Sequence, residues 1–284
     1  MYEVVIHGRG GQGALVAVKI LAHAYFFDGK FVEAFPQFGA ERRGAPVKAF
    51  LRVDTAPIRM KIPVLTADCA IIMDASLLEF VDIFQGLKKD GLILINSPLK
   101  PEEIKLDAKR KLATCDATKI ARETIKRDIP NSALLGAFAY VTGLNMEALT
   151  RAFKEIFSDE SAAAKNIKMA HLATESTLVG FSSEETNPKQ FKTSTSNLDK
   201  LQTGGTYKAD ASALQNITGS WTTEKAVVDE AKCNFCLLCY AVCPEGCILR
   251  EEKILRIDED YCKGCGICAE VCPVNAISMV NKKP

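Results

Sequence analysis

The chain opens on a short apolar run, Val4-Val5-Ile6, set between Glu3 and His7. A continuous run of that length fits a strand buried on both faces. The glycine-rich stretch Gly8-Arg9-Gly10-Gly11-Gln12-Gly13 breaks it, and from Ala14 to Ala22 the apolar residues return at helical spacing. Strand, glycine loop and helix in that order begin an α/β layer. Further strands are predicted over Lys30–Phe35, Val47–Val53, Cys69–Asp74 and Gly91–Ile95, and Lys111–Cys115 is strand-like too. Helical spacing appears at Ser76–Leu87, Thr118–Lys126 and Asn131–Val141, the last apolar on most sides. Met146–Phe157 places Leu149, Phe153, Ile156 and Phe157 on one face, and a final helix is expected from about Ala162 to Val179. The pattern predicts an α/β domain over residues 1–181, a mixed sheet with flanking helices.

Composition changes after that point. Residues 182–216 are rich in Ser, Thr, Asn, Lys and Gly, with almost no apolar anchors, and are expected to form a linker. Residues 217–284 form a second predicted domain, in which Thr218-Gly219-Ser220-Trp221 leads into the apolar triplet Ala226-Val227-Val228. A single tryptophan such as Trp221 is expected to cover the edge of a small core.

This second domain is an internal repeat. Cys233-Asn-Phe-Cys236-Leu-Leu-Cys239-Tyr-Ala-Val-Cys243-Pro244 recurs at an offset of 29 residues as Cys262-Lys-Gly-Cys265-Gly-Ile-Cys268-Ala-Glu-Val-Cys272-Pro273. Two copies of C-x2-C-x2-C-x3-C-P are the bacterial pattern for two [4Fe-4S] clusters. Three thiolates two residues apart wrap one face of a cubane, while the fourth, beyond a helical step, reaches the other cluster. One cluster would then take Cys233, Cys236, Cys239 and Cys272, and the other Cys262, Cys265, Cys268 and Cys243. Pro244 and Pro273 stop the short helices. The repeat extends beyond the ligands, aligning Asp229-Glu230 with Asp258-Glu259, Val242 with Val271 and Ile248 with Ile277. An α+β two-cluster ferredoxin-like fold is expected.

Disulfides and zinc are the competing uses of eight cysteines. The start Met1-Tyr2-Glu3-Val4-Val5-Ile6 lacks a charged segment followed by a long apolar one, which sets the expectation of a reducing cytoplasm, where a disulfide framework is rare. Zinc sites commonly mix in histidine, and this segment has none. Cys247 aligns with Ala276, so it is expected to pack rather than to ligate; Cys69 and Cys115 are expected in the core.

Bulk numbers narrow the classes. The 284 residues carry a net charge of +1, with 48% hydrophobic and 25% charged residues, as in an ordinary globular protein. Over residues 205–284, 9 Lys+Arg against 11 Asp+Glu give −2, leaving +3 for the remainder. Neither part has the basic face that nucleic-acid binding needs. No uncharged apolar run approaches the ~20 residues that span a bilayer. Oxygen-labile clusters point further to an anaerobic or microaerobic cell.

In the first domain, Gly8, Gly10 and Gly13 fill a G-x-G-x-x-G pattern, with Glu33 20 residues beyond Gly13, as in a dinucleotide-binding fingerprint. Any phosphate would satisfy the same loop, because the glycines permit close approach and the helix start offers free N–H groups. A second loop, Glu41-Arg42-Arg43-Gly44-Ala45-Pro46, sets out two guanidinium groups suited to phosphate or carboxylate.

Taken together, His7–Gly13, Glu41–Pro46, Asp116-Ala117-Thr118-Lys119-Ile120-Ala121 and Leu135-Gly136-Ala137-Phe138 resemble the γ subunit of pyruvate:ferredoxin and related 2-oxoacid:ferredoxin oxidoreductases. The segment from Thr218 to Pro273 resembles the δ subunit, a two-cluster ferredoxin. The resemblance implies an electron-transfer and assembly subunit, with decarboxylation, thiamine diphosphate, Mg and a further [4Fe-4S] cluster on α and β partner subunits. In agreement, the chain has no G-D-G followed by an N-N magnesium motif. External ferredoxin would be the acceptor, with pyruvate as the expected 2-oxoacid. The resemblance also places the first domain near the access route of coenzyme A, making Arg9, Gly10, Gln12, Arg42 and Arg43 candidate contacts to an anionic ligand or a partner subunit. Fused γδ chains also occur in oxalate oxidoreductase, which needs no coenzyme A. The glycine loop and Glu33 keep open an NAD(P)-linked ferredoxin reductase, and the tail alone a simple ferredoxin carrier.

Overall fold

This computed structural model describes residues 1–37, 44–60, 62, 64–79, 81–184, 217–222 and 224–282. The linker prediction over 182–216 therefore lies almost wholly outside the described residues, as do Arg42 and Arg43. The chain divides into two compact units, one of residues up to 191 without 43–45 and the other of the remainder.

In the first unit the strands and helices run β1 (Tyr2–Arg9), α1 (Ala14–Phe27), β2 (Phe31–Pro36), β3 (Pro46–Asp54), β4 (Ala67–Ile72), β5 (Leu87–Asn96), β6 (Lys105–Leu106), β7 (Lys111–Cys115), α2 (Ala117–Ile125), α3 (Asn131–Thr142), α4 (Met146–Ile156), α5 (Glu160–Ser176), β8 (Leu178–Phe181) and β9 (Ser183–Glu184). Seven strands make one sheet in the order β2-β3-β1-β4-β5-β7-β8. The neighbours β1, β4, β5 and β7 are parallel, while β2, β3 and β8 run antiparallel to their neighbours. This is the mixed sheet expected from the sequence.

Alternation along the strands builds two cores. Val4, Ile6, Leu51, Ile71 and Leu94 face the layer of α1, α3, α4 and α5, while Val5, Phe50, Ala70, Ile72 and Ile93 face a second apolar cluster. Gly136 lets α3 and α5 meet closely: a Cβ there would lie 2.0 Å from the Ala170 carbonyl oxygen. Arg52 is 1% exposed, and its charge is met by Glu3 Oε1 at 2.8 Å and Glu33 Oε2 at 3.2 Å. Cys69 and Cys115 are buried as expected, and burial pushes the Cys69 thiol up to about 12.

Two predicted elements differ. The expected helix at Ser76–Leu87 is a single 3-10 turn, Ala75–Glu79, followed by turns. Side chains there compete for the backbone: Asp74 Oδ1 accepts from the Ser76 N–H at 3.0 Å, and Asp82 Oδ1 from Phe84 and Gln85 at 3.0 Å each. The last helix ends at Ser176, and the remainder of its predicted span becomes edge strand β8. Ser176 and Thr177 hydroxyls donate to the carbonyls of Leu172 and Ala173 at the point of change.

The second unit pairs β10 (Glu224–Val228) with β13 (Ile277–Asn281) and β11 (Ile248–Glu251) with β12 (Ile254–Ile257). Short helices α6 (Leu238–Val242) and α7 (Ile267–Glu270) follow the two cysteine loops. Hydrogen bonds obey the repeat. The Asp229 N–H donates to the Ala276 carbonyl at 2.7 Å, and its counterpart, the Asp258 N–H, donates to the Cys247 carbonyl at 2.8 Å. Each half therefore leans on the other, a pseudo-twofold ferredoxin-like arrangement. Trp221 ends a 3-10 turn, Thr218–Trp221, in which the Gly219 N–H donates to Asp260 at 2.7 Å.

Candidate functional site

The cysteine loops need an unusual backbone to curl three thiols around one volume. Phe235 and Leu237 have φ of 55° and 64°, and the repeat places Gly264 and Gly266 at 61° and 77°. Left-handed residues on either side of Cys236 and Cys265 curl each loop tightly, the kind of turn from which anion-binding concavities are built. Glycine adopts this conformation freely, whereas Phe235 and Leu237 adopt it at a cost of roughly 1–2 kcal/mol each.

One cavity of this unit is lined together by Cys262, Cys265, Cys268 and Cys243, with Cys247, Gly264 and Gly266 beside them. This is the set that the crossing rule assigns to one cluster. Of the other set, Cys239 is buried in the small apolar core, and Cys233 and Cys272 pack against it. Cys236 is exposed. Backbone N–H groups reach the sulfurs: Ala276 donates to Cys272 Sγ at 3.2 Å, and Ala226 and Gly264 donate to Cys262. Among the described residues, no three His, Cys, Asp or Glu side chains gather as one metal ion would require. A cubane binds each thiolate at a separate iron, so its four donors ring a volume instead of converging on a point. Four cysteines around one cavity fit that demand, and all donors are sulfur, which suits iron–sulfur chemistry.

The glycine loop sits at the end of β1. The Gln12 N–H donates to the Arg9 carbonyl at 3.0 Å, while Gln12 Oε1 accepts from the Arg9 N–H at 2.8 Å. Arg9 itself is 5% exposed, pairing Nε with Asp74 Oδ2 at 3.0 Å and Nη2 with Ser76 Oγ at 2.8 Å. Gln12 Nε2 donates to the same Asp74 Oδ2 at 3.1 Å, so the Arg9 guanidinium and the Gln12 amide brace the loop against the turn that follows β4. Gly11 is exposed and Gly10 half-buried, and Gly13, at φ 82°, stands before α1 with no side-chain cap and no acidic residue in the first turn. Gly13 also admits Asn131, whose Nδ2 would lie 2.6 Å from a Cβ at that position. In the dinucleotide-binding order, the second strand is parallel to the first and beside it. Here β3 intervenes, antiparallel to both, and Glu33 on β2 is joined to Arg52. The sequence signal that missed this was spacing, which is blind to strand order.

The sequence profile described as pyruvate ferredoxin/flavodoxin oxidoreductase matches residues 3–176. The chain belongs to that family. A 4Fe-4S dicluster domain profile matches residues 226–279, so one polypeptide joins a family domain to an iron–sulfur domain. The common γ subunit of pyruvate and ketoisovalerate oxidoreductases of Pyrococcus abyssi is 49% identical over 183 residues, which are 63% of this chain and 98% of that protein. The pyruvate synthase subunit PorC of Methanosarcina barkeri is 50% identical over 155 residues, covering 54% and 85%. Among solved structures, the pyruvate oxidoreductase subunit PORC of Thermotoga maritima is similar at 34% identity with a TM-score of 0.55, over 63% of this chain and 98% of that one. These relatives match the α/β unit, and the family resemblance read from the glycine loop and the 116–138 motifs holds. No described helix is long and apolar enough to cross a membrane.

Proposed function

We propose that this chain is the electron-export and assembly subunit of a thiamine diphosphate-dependent 2-oxoacid:ferredoxin oxidoreductase, with pyruvate as the 2-oxoacid. The observation that carries the reading is the union in one chain of a γ-type domain with a cavity ringed by Cys262, Cys265, Cys268 and Cys243. Those four residues would hold one [4Fe-4S] cluster, and Cys233, Cys236, Cys239 and Cys272 the other. When bound, such clusters supply one-electron transfer at potentials set by hydrogen bonds and burial. The chain's own residues supply the thiolates, aim N–H groups at the sulfurs and bury Cys239 and Cys262 from water. α and β partners would carry thiamine diphosphate, Mg and a further cluster, and an external ferredoxin would receive the electrons.

The α/β unit would dock against those partners. Its half-buried Gly10, the exposed Gly11 beside it and the uncapped α1 start suit a phosphate such as those of coenzyme A. Arg42 and Arg43 would add charge to that contact, while Arg9 and Gln12 would hold the loop in shape. A coenzyme A-independent oxalate oxidoreductase would use the same subunit without that contact.

Anaerobic purification from the native cell tests the reading. Eight irons per chain, co-purifying thiamine-binding subunits and pyruvate-dependent, coenzyme A-dependent reduction of ferredoxin are expected. Turnover of oxalate without coenzyme A would move the assignment to the oxalate enzyme. A lone protein with NADH-dependent activity would overturn it.

A further inference from the structure

The two halves of the cluster unit follow one repeat, yet they differ beside one ligand set. Cys247 stands where the other half has Ala276, Lys263 where it has Asn234, and Glu245 where it has Val274. Cys247 is 6% exposed, and its Sγ lies 3.5 Å from Cys243 Sγ. Cys247 and Cys262 also line the same cavity and share the small core. Both neighbours belong to the same proposed cluster. Lys263 Nζ and Glu245 Oε1, 2.8 Å apart with side chains 13% and 11% exposed, tie the Cys243 segment to the Cys262 loop and hold the three sulfurs together.

A thiol beside two iron-bound thiolates has one hydrogen-bonding role open to it, because the bound sulfurs carry no proton and can only accept. Donation to a cluster sulfur favours the reduced form, which carries the additional negative charge, and so raises the potential. Ala276 offers no such side-chain donor to the other set.

We propose that the Cys247 S–H is a positioning donor to the Cys243 sulfur, and that it makes the cluster held by Cys243, Cys262, Cys265 and Cys268 the higher-potential member of the pair. Cys247 keeps its proton and forms no bond to iron; its part is to stabilise added charge on its neighbours. Electrons entering the unit therefore settle beside Cys247. The inference rests on the ligand sets given above, and the experiment separates the two.

The full chain is prepared anaerobically as Cys247→Ala, its iron is counted, and both clusters are titrated potentiometrically by electron paramagnetic resonance. Eight irons are expected to remain. One signal shifts to lower potential, so that its reduced fraction at the wild-type midpoint falls severalfold, and the other signal is unmoved. The reciprocal variant, Ala276→Cys, places a thiol in the other half and is expected to raise that cluster's potential. It decides the matter even if Cys247→Ala fails to fold. Unchanged midpoints in both variants overturn the proposal while leaving the ligand sets intact. Loss of four irons in Cys247→Ala overturns both, because Cys247 would then be a ligand.

Discussion

The two units of this chain solve the problem of a small core in different ways. The α/β unit packs both faces of a seven-stranded sheet, and its apolar residues suffice to hold it. Among its described residues the cluster unit has one core of seven buried residues, Ala226, Cys239, Cys247, Ile248, Leu255, Cys262 and Ile277, and three of the seven are cysteines. In a domain this small a single apolar core supplies no more than about 3–5 kcal/mol, so a staple carries much of the stability. Metal binding then becomes folding free energy. The expected contrast is in where stability resides: in carbon for the first unit and in the proposed iron–sulfur bonds for the second.

The largest effect should come from breaking the second kind. Removing iron with a chelator under reducing conditions, or substituting Cys262→Ala together with Cys239→Ala, is expected to unfold residues 217–282 while residues 1–184 keep their structure. Amide hydrogen exchange read by mass spectrometry follows both units in one sample. Protection retained in β10 and β13 after iron loss would show that the small core stands on its own, and the contrast between the units would fail.

Within the α/β unit the sharpest weak point is electrostatic. Arg52 is buried on β3 between Glu3 and Glu33, with its guanidinium 5.4 Å from the Phe35 ring centre. Arg52→Ala leaves two carboxylates facing each other without their cation. Loss of one partner from a buried pair costs about 3–5 kcal/mol; the lower end is expected because Glu3 and Glu33 side chains keep 13% and 19% exposure. Chemical denaturation should place this loss in the α/β unit and leave the iron content at its wild-type value. A loss below 1 kcal/mol would mean that water replaces the guanidinium, and that Arg52 is not a core requirement.

Legibility from sequence follows the same division. The class of the cluster unit was legible, because the cysteine spacing and its repeat name a two-cluster domain and the dicluster profile matches residues 226–279. In the α/β unit, apolar periodicity placed β1, α1, β3, α3 and α4, where burial on a fixed face leaves a strong signal. It failed where local polar bonds decide, at the Asp74 and Asp82 turns, and at β8, whose leading Leu178 and Val179 continue a helical pattern while pairing instead with Thr114 and Ala113. It also could not see that Arg9 turns inward to Asp74 or that Glu33 belongs to Arg52. Both are partnerships between residues far apart in sequence, so no local spacing encodes them.

The smallest expected difference lies between two kinds of glycine in one loop. Gly264 and Gly266 both have positive φ, at 61° and 77°. A Cβ on Gly264 would lie 2.5 Å from the Glu224 carbonyl oxygen and 2.6 Å from Thr222 Oγ1, whereas one on Gly266 would meet nothing within 4 Å. Gly264→Ala therefore carries a steric cost against β10 in addition to the left-handed one, a total of about 3 kcal/mol from overpacking and backbone strain. Gly266→Ala carries only the conformational share, about 1 kcal/mol. The first half already shows that the backbone tolerates side chains here, since Phe235 and Leu237 occupy the matching positions at φ 55° and 64°. Thermal melting followed at the cluster absorbance should fall clearly further for Gly264→Ala than for Gly266→Ala, with iron retained in the latter. Equal shifts would mean that β10 yields to the added methyl, and that the cluster unit is softer around its iron than its close contacts imply.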